Sequence, residues 1–223
     1  MIHYGDICLL NGAEIPAVDV ITGGSPCQDL SVAGKREGLA GERSGLFMEQ
    51  IRIIKEMREA DVRSGRTNEF CRPRFMVWEN VPGALSSGNP KGEDFRIVLE
   101  EIAKVCDPSA VIPRPEDKWS NSGCVVGDGW SIAWRIHDAQ FWGATQYIDG
   151  RVWLRGTPQR RRRIALVADF GGHAAPEVLF ERKGLFGDFK SGGTARQGVA
   201  AGTERSLGTS SWTLKIRGGA RDR

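Results

Sequence analysis

The chain has 223 residues, 40% hydrophobic and 26% charged, with a formal net charge of +3. That is the balance of a soluble globular domain, or of one domain with an appendage, and whole-chain charge says little about partners. No run of about 18 apolar residues occurs, which excludes a transmembrane helix, and the first residues lack a charged-then-apolar signal pattern. Five cysteines form no CxxC pair, which argues against a disulfide framework or a zinc site and for a reducing, cytoplasmic compartment.

In chain order, Gly5-Asp6-Ile7 reads as a turn. The apolar run Ala17 to Thr22 predicts a buried strand. It opens into Gly23-Gly24-Ser25-Pro26-Cys27-Gln28, where two glycines permit a tight turn and Pro26 fixes φ beside a thiol. Ser31 to Ser44 is polar and glycine-punctuated and carries Lys35 and Arg36, a surface loop by composition. Phe47, Ile51, Ile54 and Met57 fall at helical spacing and predict a helix over Leu46 to Ala60, capped by Ser44. A polar connection leads to a strand over Arg74 to Trp78, which ends in Glu79-Asn80-Val81-Pro82. Asp94 to Val105 predicts a second helix, with Phe95, Val98, Leu99 and Ile102 on one face.

Asp107 to Lys118 holds three prolines and reads as loop. Trp130 to Ile136 alternates as a half-buried strand. Tyr147 to Leu154 suggests a short hairpin arm around Asp149-Gly150. Gln159 and four consecutive arginines lead into a buried strand over Ile164 to Ala168. From Gly171 onward lie eleven of the 29 glycines, and the segment reads as loop or linker apart from a strand-like piece over Ser211 to Ile216. Strands alternating with helices predict an α/β fold with a mostly parallel sheet.

Three features would then sit at strand ends of one sheet: the Cys27 thiol, the Glu79 carboxylate and the Gln159 to Arg163 cationic segment. Each has an ordinary alternative, namely a core cysteine, a surface carboxylate and a solvated arginine face. From Arg151 to Arg163 there are six arginines and no acidic residue, which suits phosphate without specifying it.

Taken together, these stretches resemble the C5-cytosine DNA methyltransferases. Gly24-Ser25-Pro26-Cys27-Gln28 resembles the family's Pro-Cys motif, Arg43-Ser44-Gly45-Leu46-Phe47 its Gly-Leu-Phe motif and Glu79-Asn80-Val81 its Glu-Asn-Val motif. Gln159, Arg161 and Arg163 match Gln-x-Arg-x-Arg, and Gly5-Asp6-Ile7 matches the segment before the catalytic strand. The order is preserved over roughly residues 4 to 170. The resemblance implies a Rossmann-like fold dependent on S-adenosylmethionine and a double-stranded DNA substrate, in a bacterial or phage-encoded protein of the cytoplasm.

It also implies roles. Cytosine C5 becomes nucleophilic once a thiolate adds to C6, so Cys27 is the expected nucleophile, in its thiolate form. Glu79 would protonate N3 and drain the charge created by attack. Arg161 would contact O2, with Arg163 supporting it. Asp6, Ile7, Pro26 and Leu46 would lie on the cofactor, and Gln28, Ser31, Lys35, Arg36, Asn80 and Gln159 on the flipped base and its DNA. No metal is implied.

Some family features are missing. The Phe-x-Gly-x-Gly cofactor loop, the acidic ribose ligand, the C-terminal recognition region and the last motif have no counterpart, and residues 144 to 156 interrupt the run from Phe141-Trp142-Gly143 to the arginine motif. Residues 1–170 are thus expected to form a partial catalytic domain, and 171–223 a Gly-rich segment leading into a truncated recognition region. Such a chain should expose a sheet edge, bind S-adenosylmethionine weakly or not at all by itself, and leave room for a complementing chain. A remnant that only binds DNA through its arginines is the competing expectation.

Overall fold

A computed structural model describes residues 2–25, 45–141, 145–149, 151–154, 159–180 and 212–215, with backbone alone for Asn68 and for the strand residues in 145–148, 151–154 and 212–215. The main elements are β1 (Val20–Gly23), α1 (Gly45–Arg63), β2 (Phe75–Asn80), α2 (Glu93–Ala103), β3 (Ser122–Val126), β4 (Ser131–Asp138), β5 (Thr145–Ile148), β6 (Arg151–Leu154), β7 (Arg162–Asp169), α3 (Ala175–Leu179) and β8 (Trp212–Lys215). Six strands form one sheet in the order β1-β2-β7-β4-β3-β8, while β5 and β6 form a separate pair.

The α/β class stands, and the architecture is that of an incomplete Rossmann-like methyltransferase fold. The sheet itself is mixed. β1–β2 and β3–β8 are parallel, whereas β2–β7, β7–β4 and β4–β3 are antiparallel. Parallel neighbours need a long crossover, and α1 supplies it between β1 and β2; neither β3 to β4 nor β4 to β7 has a described crossover helix, so those pairs run antiparallel.

Both long helices bury the faces their spacing dictates. Phe47, Ile51, Ile54 and Met57 of α1 and Phe95, Val98, Leu99 and Ile102 of α2 are all buried. They cover one face of the sheet with Met76, Trp78, Val125, Ile132, Trp134, Ile164, Leu166 and Ala168. Phe95 centres an aromatic cluster, edge-on to Trp119 at 5.2 Å and to Trp134 at 5.5 Å, with Trp78 at 6.5 Å. Such edge-to-face pairs add to the burial of their large apolar areas. The indole nitrogens keep partners: Trp119 donates to Gly92 O at 2.7 Å and Trp134 to Ser120 O at 3.0 Å.

The opposite face carries a smaller cluster, in which Ala133, Val167 and Ala175 meet Phe75, Val77, Cys124 and Leu179. α3 provides the cover there, in a segment whose glycine content reads as loop. This second cover corrects the half-buried expectation for β4: Ser131 to Trp134 are buried on both faces. The expectation of a buried first strand is also corrected. β1 pairs only with β2 among the described strands, so Val18 and Val20 remain 42% and 47% exposed. The hairpin arm, the strand over Ile164 to Ala168 and the strand-like piece near Trp212 all form, and β3 is an element the composition did not signal. Ser44, the expected cap of α1, lies outside the described residues.

The sheet is pinned at one end by Asp169, whose side chain is fully buried. Arg74 donates to both its oxygens at 3.1 and 3.2 Å, and the backbone N–H groups of Gly171 and Ala174 donate at 3.0 Å. Burial pushes this carboxyl up, but the Arg74 hydrogen bond and the two backbone donors outweigh it and hold the pKa below the ordinary value. A depressed carboxylate stabilises the fold above its unfolded pKa of about 3.9 and loses that contribution as pH falls through the folded value. Asp169→Asn should therefore destabilise the chain by about 3 kcal/mol near neutral pH, and its denaturation midpoint should fall less than the parent's between mildly and strongly acidic buffer. Parallel acid profiles for the two proteins would refute this account.

Candidate active site

Glu79 and Asn80 end β2, whose register with β1 pairs Gly23 with Trp78. The loop toward Cys27 therefore leaves the sheet directly beside Glu79. β7 runs antiparallel on the other side of β2, pairing Ile164 with Asn80, so Arg163 arrives at the same edge. One edge of three neighbouring strands thus gathers three separate sequence motifs.

The contacts there are specific. Arg163 Nε lies 2.7 Å from Glu79 Oε1, with the Glu79 side chain 51% exposed, and Arg163 Nη1 donates to Arg162 O at 2.8 Å. An ion pair this exposed adds little stability; its consequence is position, since it sets one carboxylate oxygen against a guanidinium. The other oxygen faces the chain: a Cβ added at Gly24 would lie 3.4 Å from Glu79 Oε2 and 3.2 Å from Glu79 O. A side chain at 24 would crowd the Glu79 carbonyl and touch its carboxylate.

Asn80 works on the backbone. It is buried, its Nδ2 donates to Ser25 O at 3.0 Å, and its Oδ1 accepts from Val81 N at 2.8 Å. Trp78, fully buried, donates its indole N–H to Ser25 Oγ at 3.2 Å. Ser25 is thereby held twice, two residues before Cys27. On the α1 side Gln50 packs against Gly23, where an added Cβ would meet the carboxamide at 2.5 to 2.7 Å. Gln50 is buried, and its Nε2 has no partner among the described residues.

Pro26, Cys27, Gln28, Ser31, Lys35 and Arg36 lie outside the described residues. Of the other expected site residues, Glu79, Asn80 and Arg163 are brought together. Arg161 and Gln159 are exposed nearby; the Arg161 backbone is fixed by Asp138, whose Oδ1 accepts from Arg161 N at 3.1 Å. Asp6 and Ile7 lie elsewhere, against α1. Asp6 Oδ1 accepts from Cys8 N at 2.9 Å, and Arg52 of α1 donates to Ile7 O and Leu10 O at 3.0 and 2.8 Å. Leu46 is 42% exposed in the first turn of the same helix.

Sequence reasoning missed Ser25, Trp78, Gln50 and Asp138 as supports of this edge, and Arg52 as the support of the Ile7 segment. Only Trp78 and Ser25 carried a usable signal, each lying in or beside a motif. His137 also belongs to the edge, paired in register with Arg163; burial and then the neighbouring Arg135 lower its pKa.

The comparisons with known proteins agree with a methyltransferase-type α/β fold. Residues 1–105, just under half of the chain, match the family described as C-5 cytosine-specific DNA methylase. The chain is 33% identical over 191 residues to a protein of Escherichia phage P1 named DNA N-6-adenine-methyltransferase, covering 77% of this chain and 22% of that one. It is 29% identical over 164 residues to the type II methyltransferase M.BsuFI of Bacillus subtilis, covering 74% and 27%. Against the orphan methyltransferase M.SPRI of Bacillus phage SPR it is 31% identical over 104 residues, covering 47% and 20%. The chain thus spans roughly a fifth to a quarter of the length of these curated relatives.

The close packing of Gly23 on Gln50 yields a test. Gly23→Ala should cost about 1–3 kcal/mol by overpacking, and adding Gln50→Ala should recover at least half of that loss. Denaturation of the two single variants and the double variant measures the coupling; simply additive losses would show that the two residues do not press on each other.

Proposed function

We propose that this chain carries the catalytic part of a DNA cytosine-C5 methyltransferase, acting on a cytosine flipped out of duplex DNA. The observation that carries the reading is the meeting, at one sheet edge, of Glu79 with Arg163 and with the root of the Cys27 loop.

In this reading the Cys27 thiolate adds to C6 of the base, and the electron pair displaced from the ring moves toward C5 and N3. Glu79 donates a proton at N3, so the adduct carries no net ring charge. Arg161 holds O2, and Arg163 holds Glu79 in place. Asn80 and Trp78 fix Ser25, which limits the directions from which the thiol can approach C6; a preset approach of this kind is worth several kcal/mol of the barrier. Once C5 is substituted, a base removes its proton, the electron pair re-forms the C5–C6 double bond and Cys27 leaves as thiolate. Gln28, Ser31, Lys35, Arg36 and Gln159 are assigned to the DNA around the flipped base.

S-adenosylmethionine, when bound, supplies a methyl group activated by its sulfonium. The described residues fit the adenine side of that group. Asp6 commits only Oδ1 among the described contacts, leaving Oδ2 to accept from an exocyclic amine, and Leu46 presents apolar surface. Asp6, Ile7 and Leu46 would hold it there, and the resemblance assigns Pro26 to the same group. Support for a complementing chain comes from β1: its outer edge is unpaired among the described strands, and Val18 and Val20 lie exposed beside it. We assign the activity to the cytoplasm of a bacterium, in a restriction-modification or phage setting; the relatives come from bacteria and phages. We assign residues 1–170 to the partial catalytic domain and 171–223 to the entry of a recognition region.

The adenine activity in the name of the phage P1 relative is the less suitable model. Transfer to an exocyclic amine needs no covalent activation of the ring, whereas the Pro-Cys motif and the Glu79 edge supply the parts for that activation. A DNA-binding remnant without catalysis is the second reading, favoured by the exposed arginines at 160 to 162.

The deciding experiment is covalent trapping on a mixed-sequence duplex containing 5-fluorocytosine, with S-adenosylmethionine and with Cys27→Ala as control. Fluorine at C5 blocks the final elimination. The chain, supplemented with the absent family segments as a second polypeptide, should give a protein–DNA band that survives denaturation and vanishes in Cys27→Ala. A folded, DNA-binding sample that never gives the band would leave the remnant reading.

A further inference from the structure

Asp94 is a buried acid that the site does not use. It stands in the first turn of α2 and is 3% exposed, and its Oδ2 has no hydrogen-bond partner among the described residues. The first turn of a helix favours an anion, yet a carboxylate oxygen shut away from water without a donor is costly. Burial first, and then the neighbouring charge of Glu93, push this carboxyl above the ordinary range, against a hydrogen bond with Ser87.

The loop it faces is built around it. Residues 81–92 lead from Asn80 through a 3-10 turn over Pro82–Ser86 to the start of α2. Ser87 O accepts from Gly92 N at 2.9 Å and from Asp94 N at 3.4 Å, which folds the loop back on the helix. Gly88 has φ at 94°, and a Cβ there would lie 2.7 Å from Asp94 Oδ1 and 2.8 Å from Asp94 N. The loop therefore packs directly on the carboxyl.

Ser87 Oγ donates to Ala84 O at 3.1 Å, and a hydroxyl has one proton to give. With that proton on Ala84 O, Ser87 can only accept from Asp94, and only the neutral acid has a proton to donate. An ionised Asp94 must draw the hydroxyl away from Ala84 O or go without it. The charges nearby do not relieve this. Glu93 is itself an anion, paired with Arg96 at 2.7 Å. Neither Lys91 in the loop nor Arg114, which donates to Lys91 O at 3.3 Å, is paired with Asp94.

We propose that Asp94 is a proton-operated latch: as the neutral acid it holds residues 81–92 onto α2, and on ionising it lets that loop open. Val81 N donates to Asn80 Oδ1 at 2.8 Å, so the loop begins on the residue that holds Ser25, and opening loosens the Glu79–Asn80 end of β2. That consequence for the site rests on the methyltransferase reading; the latch itself does not.

The test is amide hydrogen exchange read by NMR, in the parent and in Asp94→Asn, from about pH 3.9, the ordinary aspartate value, upward. The closed loop binds the Asp94 proton more tightly than the open one. Closure therefore weakens as pH rises through the raised pKa and levels off above it. After correction for intrinsic exchange, the Gly92 and Asp94 amides of the parent should lose about threefold or more of their protection over this range. They should also stay less protected than the amides of β7, the mark of local opening. Asp94→Asn keeps an uncharged group of the same shape and should show no step. The 13C shift of the Asp94 carboxyl in the parent should titrate over the same range.

A parent without a step, or a step that persists in Asp94→Asn, overturns the latch. So does exchange of Gly92 and Asp94 at the rate of β7, because the loop would then open only with the whole fold. Should Asp94→Asn fail to fold, the carboxyl titration decides, and a midpoint at or below the ordinary value overturns the proposal. None of these readouts uses DNA or S-adenosylmethionine. Their failure is therefore distinct from failure of the trapping experiment, which tests the methyltransferase reading alone.

Discussion

The double hold on Ser25 is the constraint on which the proposed site depends. Trp78 sits with its ring in the aromatic core and its N–H on Ser25 Oγ, while Asn80, two residues on along the same strand, holds Ser25 O. Residues at i and i+2 of a strand share a face, so β2 presents both donors to one neighbouring loop. Packing of Trp78 against Phe47 and Phe95 fixes the indole. The core thereby carries its rigidity to within two residues of Cys27.

The same strand places the carboxylate. Between Trp78 and Asn80, Glu79 points to the opposite face, toward Gly24 and Arg163. Its ion pair is solvent-exposed and adds little to folding, so the arrangement is one of position. A row of strand ends, from β1 through β2 and β7 to β4, brings the chain past Gly24, Glu79, Arg163 and His137 in turn. The stability of this edge comes from elsewhere, chiefly the two-sided burial of β7 and β4 and the Asp169–Arg74 anchor at the far end of β2 and β7.

The two ends of the sheet contrast in finish. At the Asp169 end, buried charge is matched by buried donors. Arg58 adds to the closure, donating to the carbonyls of Cys71 and Pro73 at 2.8 and 2.9 Å and of Phe170 at 3.2 Å. At the Glu79 end, Gln50 keeps an orphaned amide among the described residues and the arginines face outward.

Much of this was legible in the sequence. The spacing of Phe47, Ile51, Ile54 and Met57, and of Phe95, Val98, Leu99 and Ile102, determined both helices and their buried faces, because apolar burial repeats every 3.6 residues. The ordered motifs pointed to the family whose description residues 1–105 match, and to Glu79, Asn80 and Arg163. What the sequence could not decide depended on neighbours. An apolar run along β1 and alternation along β4 are both blind to whether a second layer covers the strand, so β1 proved half-exposed and β4 buried on both sides. The direction of β7 rests on which connections carry crossover helices, and with it the arrival of Arg163 at Glu79. Ser25, Gln50 and Asp138 gain their roles only from groups far away in the chain, at separations that local pattern does not encode. Tertiary structure alone placed them, because a hydrogen bond needs its partner within about 3 Å and only the packed sheet brings those partners there.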